Sequence, residues 1–151
     1  AEEPGRERVR AAEQIPPHIT LLPPTRIEAA DVAAFQAHLR RVASRNRRFP
    51  VRLEGTGTFR PVSPVVFVRV ERGSAGCDAL QQQIRSGPVV RPLEFPFHPH
   101  VTVAHNLGEP VLDLAQQRLK DFVATFDVGE FWLFEHGRDG RWRATDRFEL
   151  K

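Results

Sequence analysis

Pro17-His18-Ile19-Thr20-Leu21 and Pro99-His100-Val101-Thr102-Val103 are one pattern written twice: proline, histidine, a β-branched residue, threonine and an aliphatic residue. The two histidines stand 82 positions apart, at 18 and 100. Side chains two residues apart on a strand share a face, so each copy presents an imidazole and a hydroxyl together. Ile19, Leu21, Val101 and Val103 then point into the core. Pro16-Pro17 and Pro23-Pro24 bracket the first copy and restrict their neighbours to extended backbone, which predicts a short strand over residues 18–22. The second copy follows a proline-rich passage, residues 92–99, and predicts a strand over residues 100–105.

Outward from the motifs, the chain reads as mixed helix and strand. Residues 5–13 have the composition of a short helix, ended by Pro16-Pro17. Val32, Phe35, Leu39 and Val42 recur at spacings of three and four and predict a helix from Asp31 to Asn46. Phe49, Val51 and Leu53 alternate with Pro50, Arg52 and Glu54, the pattern of a half-buried strand with a proline near its edge. The apolar run at residues 65–70 belongs inside a sheet. Cys77, Leu80 and Ile84 return to helical spacing, and Gly87-Pro88 stops that helix. Leu112, Ala115, Leu119, Phe122 and Phe126 mark a further helix. Residues 128–136 and 142–150 read as two strands, and Asp139-Gly140 between them supplies a hairpin turn. Regular strand-helix alternation and a glycine-rich phosphate loop are both missing, so the fold class is α+β.

The 151 residues suit one compact domain that buries roughly 70% of its unfolded surface. Hydrophobic residues are 40% and charged residues 27%, and no apolar run approaches the about 18 residues of a membrane span. The N-terminus Ala1-Glu2-Glu3-Pro4-Gly5 lacks the basic-then-apolar order of a secretory signal, so a cytoplasmic location is expected. A single cysteine, Cys77, excludes an intrachain disulfide, a four-thiolate zinc site and a CxxC redox pair. It falls on the apolar stripe of its helix and reads as inert core. Twenty-two basic residues against nineteen acidic give +3. All but Lys120 and Lys151 are arginine, which grips phosphate bidentately. Arginine-rich coding explains the same bias.

Two imidazoles and two hydroxyls suit attack on a phosphodiester. A neutral imidazole activates the nucleophile while a protonated one donates to the leaving oxygen. The threonine hydroxyls bind non-bridging oxygens and stabilise the charge that builds there. One isolated His-x-Thr is most simply a hydrogen-bonded strand histidine, and it is the repetition in matching proline contexts that favours function.

The paired motifs, within Ile15-Pro16-Pro17-His18-Ile19-Thr20-Leu21-Leu22-Pro23-Pro24 and Phe97-His98-Pro99-His100-Val101-Thr102-Val103-Ala104-His105, resemble the two-histidine phosphoesterase superfamily, and within it bacterial 2'-5' RNA ligase-like proteins. The similarity continues through Gly57-Thr58-Phe59-Arg60-Pro61 and residues 134–142, covering the chain from about Ile15 onward. The resemblance implies a single two-lobed α+β domain spanning residues 1–151, with two small antiparallel sheets facing across a central cleft and helices outside. It implies metal-independent 2',3'-cyclic phosphodiesterase or ligase activity on RNA ends, by a monomer with no cofactor. His18 and His100 would be the acid–base pair, Thr20 and Thr102 the phosphate-binding hydroxyls. Family members usually begin with an apolar strand paired beside the first motif; this sequence starts without it and contains no methionine, which suggests residues upstream of Ala1.

Other residues are candidates for lesser roles. His98, His100 and His105 have spacing found in metal sites, yet Pro99 intervenes, no carboxylate is close in sequence and Thr102 fits the repeat, so no metal is expected. His105 falls on the opposite strand face from His100 unless a bulge intervenes; some relatives carry arginine there, which makes it a candidate substrate contact. Phe59 and Phe97 adjoin matched segments and could stack on a nucleobase, core packing being the simpler fate. Arg60 could reach a phosphate or be an ordinary solvated arginine. Three functions fit: an enzyme on cyclic or 2'-5' linkages at RNA ends, the same machinery on a small cyclic nucleotide or ADP-ribose cyclic phosphate, and an RNA-end binding module with little turnover. A pure binder has no need of two imidazoles.

Overall fold

The structure is a computed structural model that describes residues 15–151; the helix expected over residues 5–13 lies outside them. Nine elements follow a short 3-10 turn, Ala29–Asp31. They are α1 (Val32–Arg45), β1 (Phe49–Thr58), β2 (Val65–Arg72), α2 (Ser74–Arg85), β3 (His100–His105), α3 (Glu109–Arg118), β4 (Val123–Val128), β5 (Glu130–His136) and β6 (Trp142–Glu149). All the strand pairs are antiparallel, in a four-stranded sheet of order β3-β2-β1-β4 and a two-stranded sheet of β5 and β6. No helix among the described residues is long and apolar enough to cross a membrane.

Both amphipathic helices form where the apolar stripes predict them. Phe35, Leu39 and Val42 of α1 meet Leu80 and Ile84 of α2 and Phe131, Phe148 and Leu150 of the hairpin in one cluster. Val32 begins the helix but stays 38% exposed. The helix ends are tied by a reciprocal amide pair: Asn46 Nδ2 donates to Gln83 Oε1 at 2.8 Å, and Gln83 Nε2 to Asn46 Oδ1 at 3.1 Å. A second cluster of Val51, Leu53, Val68 and Val101 lies against one face of the larger sheet, with Ile19 packed on it. Leu112 of α3 covers Val66 and Ala104 in a third, smaller cluster.

Four expectations need correction. The helix marked by Leu112 to Phe126 stops at Arg118, and Phe126 belongs to β4. Residues 123–128 are rich in β-branched and aromatic side chains, and six residue pairs with β1 hold them extended. The expected strand over residues 128–136 breaks at Gly129, where the chain passes from the larger sheet to the hairpin. β1 is an interior strand, so Pro50 stands near an end of the strand and not on a sheet edge; its pairing with β2 begins only at Arg52. The first motif forms no ladder. It contributes a single antiparallel bridge, Ile19 to Val101, because the prolines on both sides remove the donors a longer ladder requires. The hairpin turn at Asp139-Gly140 is as read, closing on His136 and Trp142.

Candidate active site

The one bridge brings the two motifs side by side. In antiparallel pairing the neighbours of a bridged pair meet in reverse order. Ile19 opposite Val101 therefore sets His18 on the side of Thr102 and Thr20 on the side of His100. The bridged pair faces the core, Val101 at 8% exposure, and the four polar side chains occupy the other face. His18, Thr20 and Thr102 are exposed and His100 is half-buried.

Each imidazole is oriented in the same way. His18 Nδ1 lies 2.9 Å from the carbonyl of Pro16, and His100 Nδ1 lies 2.7 Å from the carbonyl of His98, two residues back in both cases. A carbonyl only accepts, so Nδ1 carries the proton in each ring. Nε2 is left as the nitrogen able to take or give a proton, at the far end of a ring anchored through Nδ1. These two main-chain acceptors are functional groups that the motif alone did not reveal. The repeated proline before each histidine was their signal. Neither Thr20 nor Thr102 has a hydrogen-bond partner for its hydroxyl among the described residues, whereas Thr25, Thr56, Thr58 and Thr145 donate theirs to carbonyls.

The surroundings of the two rings differ. Around His100 stand Phe59, edge-on at 4.9 Å between centroids, Phe67 at 5.2 Å and His98 at 5.8 Å. Phe59 also packs on Phe67 at 4.5 Å. Phe67 comes from β2 and lies across Gly57 of β1, where any Cβ would collide with its ring. Burial pushes the His100 imidazole below its ordinary 6.5, the His98 carbonyl opposes that shift, and repulsion from His98 and His18 adds to it. The two motif histidines are thus close enough to feel each other's charge.

A bulge shapes the rest of β3. Val66 pairs with Ala104 and Phe67 with Thr102, which leaves Val103 unpaired between them. Val103 is accordingly 41% exposed and does not enter the core as expected. The extra residue also returns the exposed His105 to the face of Thr102 and His100, meeting the condition set by the sequence. Phe59 is spent on packing against the His100 ring. Phe97 is half-buried, with no ring contact among the described residues. Arg60 is neither a solvated arginine nor free for phosphate: its guanidinium is committed to Glu109, Asp113 and Gln116 of α3. Among the described residues no three His, Cys, Asp or Glu side chains gather to hold a metal ion.

The loops that carry both motifs are linked from behind. Arg85 of α2 donates to buried Gln81 at 2.7 Å and to the carbonyl of Arg91 at 2.5 Å. Arg91 in turn reaches the carbonyl of Pro24 at 3.3 Å. The proline-rich passage before the second motif is thereby tied to the segment after the first.

An α+β fold of antiparallel sheets with one His-x-Thr segment on β3 and the other bridged beside it defines the class, and comparison with known proteins agrees. Residues 3–140 match the family described as the 2'-5' RNA ligase superfamily, and the chain belongs to that family of two-histidine phosphoesterases. A Bacillus thuringiensis (strain Al Hakam) protein named "Putative phosphoesterase" is 28% identical over 138 residues, 90% of this chain and 80% of the relative. The structure of E. coli LigT in apo form superposes with a TM-score of 0.63 at 24% identity, covering 96% of this chain and 86% of that one. TT0787 of Thermus thermophilus gives 0.65 at 20% identity, covering 98% and 93%. At these identities the two structures establish a shared fold.

Proposed function

We propose that the protein is a phosphodiesterase that opens 2',3'-cyclic phosphates at RNA ends with water, or with a ribose 5'-hydroxyl to give a 2'-5' linkage, by acid–base catalysis from His18 and His100. The observation that carries this reading is the matched pair of rings. Both donate Nδ1–H to a main-chain carbonyl two residues back and keep Nε2 for chemistry, beside two hydroxyls with no partner among the described residues.

In hydrolysis His100 is the base. Its half-buried, aromatic-lined setting disfavours the imidazolium, so Nε2 is free to take a proton from the attacking water. As the new P–O bond forms, the ester bond to one ribose oxygen breaks. His18, open to water, delivers the proton from its own Nε2 to that departing oxygen. The two rings end with their protonation reversed and reset through solvent. Thr20 and Thr102 donate to the non-bridging oxygens, where charge accumulates in the transition state. With a ribose 5'-hydroxyl in place of water, His100 takes that hydroxyl's proton, the same ring bond breaks and a 2'-5' linkage results.

The test is to offer oligonucleotides and mononucleotides ending in 2',3'-cyclic phosphate and to identify the terminal phosphate of each product. Turnover of the oligonucleotide to a single monoester isomer is expected. Turnover of mononucleotides alone would move the substrate to small cyclic phosphates, and binding without turnover would refute catalysis.

A further inference from the structure

Arg60 is the most heavily bonded side chain near the motif face, and nothing in the acid–base chemistry uses it. Its side chain is 15% exposed. Nη1 lies 2.9 Å from Glu109 Oε2 and 2.9 Å from Asp113 Oδ1, Nη2 donates to Gln116 Oε1 at 2.9 Å, and Nε donates to Thr58 Oγ1 at 3.0 Å. Three of those partners lie on one side of α3, four and three residues apart, so the helix presents them as a row to the planar fork. The guanidinium thus fastens the β1–β2 connection to the helix that follows the second motif strand. The residue before it is Phe59, whose ring rests edge-on against His100 and tilted against Phe67. Within the connection, Phe59 N donates to Val65 O and Ser63 N to Phe59 O, which keeps the turn in shape. Those bonds are internal to the turn. Asn106 N donates to Pro64 O and holds the far end of the turn to the segment before α3, while the Arg60 cluster holds the Phe59 end to the helix itself.

We propose that Arg60 is a positioning residue for His100: by pinning the β1–β2 connection to α3 it holds Phe59 against the imidazole and keeps the Nε2 nitrogen aimed at the substrate. The inference rests on the reading of His100 as an acid–base group. It requires a rigid, forked cation, because lysine carries the charge as a point and cannot meet three acceptors along a helix side. It also differs in sign from a simple charge effect. Removing the carboxylates of Glu109 and Asp113 leaves Arg60 uncompensated, which by charge alone would push the His100 imidazole further down. Releasing Phe59 would expose the ring and let it rise toward 6.5.

The experiment is an NMR pH titration of the His100 ring in the full chain, made on Arg60→Gln, Arg60→Lys and Glu109→Gln/Asp113→Asn, with kcat and KM measured on a cyclic-phosphate oligonucleotide. The charges facing His100 are His98 and His18, with Arg69 as its registered neighbour on β2, and none is altered. All three variants should raise the His100 midpoint toward 6.5. Each should lower kcat about ten- to a hundredfold, as a small misplacement of a reacting group does, with KM within about twofold of wild type. In a Phe59→Leu background Arg60→Gln should move the midpoint no further. Wild-type behaviour of Arg60→Lys, a lower midpoint in the double carboxylate variant, or an equal shift with and without Phe59 would each overturn the proposal. If Arg60→Gln does not fold, the other two variants decide. The titration needs no turnover, so a chain that shows the shifts but opens no cyclic phosphate refutes the proposed function and leaves the positioning role standing.

Discussion

Replacing Thr20 or Thr102 by valine removes one hydroxyl donor from the motif face and nothing else. Valine matches threonine in shape and strand preference. Both hydroxyls are exposed and neither has a partner among the described residues, so no protein group is orphaned and stability should stay within about 0.5 kcal/mol. The kinetic cost is different in kind. A donor aimed at developing charge is typically worth about a hundred- to a thousandfold in kcat, roughly 2.7–4 kcal/mol. On this open face water can take the place of a lost hydroxyl, which sets each variant near the lower bound, about a hundredfold. The double variant should fall short of the product of the two, because both donors serve one phosphate. Thr58→Val is the internal contrast. Its hydroxyl donates to Val65 O at 2.7 Å and accepts from the N and Nε of Arg60, so its loss should cost about 1–3 kcal/mol of stability. The assay is kcat on a cyclic-phosphate oligonucleotide beside thermal melts of all four variants. Folded Thr20→Val and Thr102→Val with wild-type kcat would refute the role given to these hydroxyls.

Three further outcomes are expected. The rate should be bell-shaped in pH, with an acid limb below 6.5, because burial lowers the His100 midpoint and the base must be neutral; His18→Ala and His100→Ala should each cost about a hundred- to ten-thousandfold and abolish opposite limbs, and an unchanged two-limbed profile in either would contradict the assignment. Since each proton transfer has its own imidazole, exhaustive chelation should leave activity intact, and loss with EDTA restored by zinc would reverse that mechanism. Burial, partly opposed by the thiol's backbone hydrogen bond, pushes the Cys77 thiol up to about 11, so a thiol reagent at pH 8 should label the folded protein far more slowly than the unfolded chain; equal rates would show that α2 opens freely.

What the sequence revealed followed how locally each feature is determined. The helices at Val32–Arg45 and Ser74–Arg85 were legible because their stripes face a core directly beneath them. The end of α3 was not, since Leu119, Phe122 and Phe126 continue a helical spacing while the pairing that claims Phe126 comes from Val51, far back in the chain. The His-x-Thr repeat exposed the reacting groups, and alternation correctly put Ile19 and Val101 in the core. The bulge at Val103 depends on the register of β2, which β3 alone does not encode. Arg60 was picked out as a phosphate contact or a solvated arginine, and its tie to α3 gave no signal for the same reason: its three partners there lie 49, 53 and 56 positions away.

The bridge between Ile19 and Val101 relates the two motifs by an approximate local dyad. Each half brings a ring, a hydroxyl and a main-chain acceptor in equivalent places, so a phosphate turned end for end would meet the same set of groups. Under the proposed chemistry the catalytic quartet therefore has no preference between the two ribose oxygens. Handedness must come from what the dyad does not copy, namely the aromatic wall of Phe59 and Phe67 that encloses His100 and has no counterpart at the exposed His18 among the described residues. Which isomer of the terminal monoester is released is then set by packing around one ring and not by the identity of the groups that move protons.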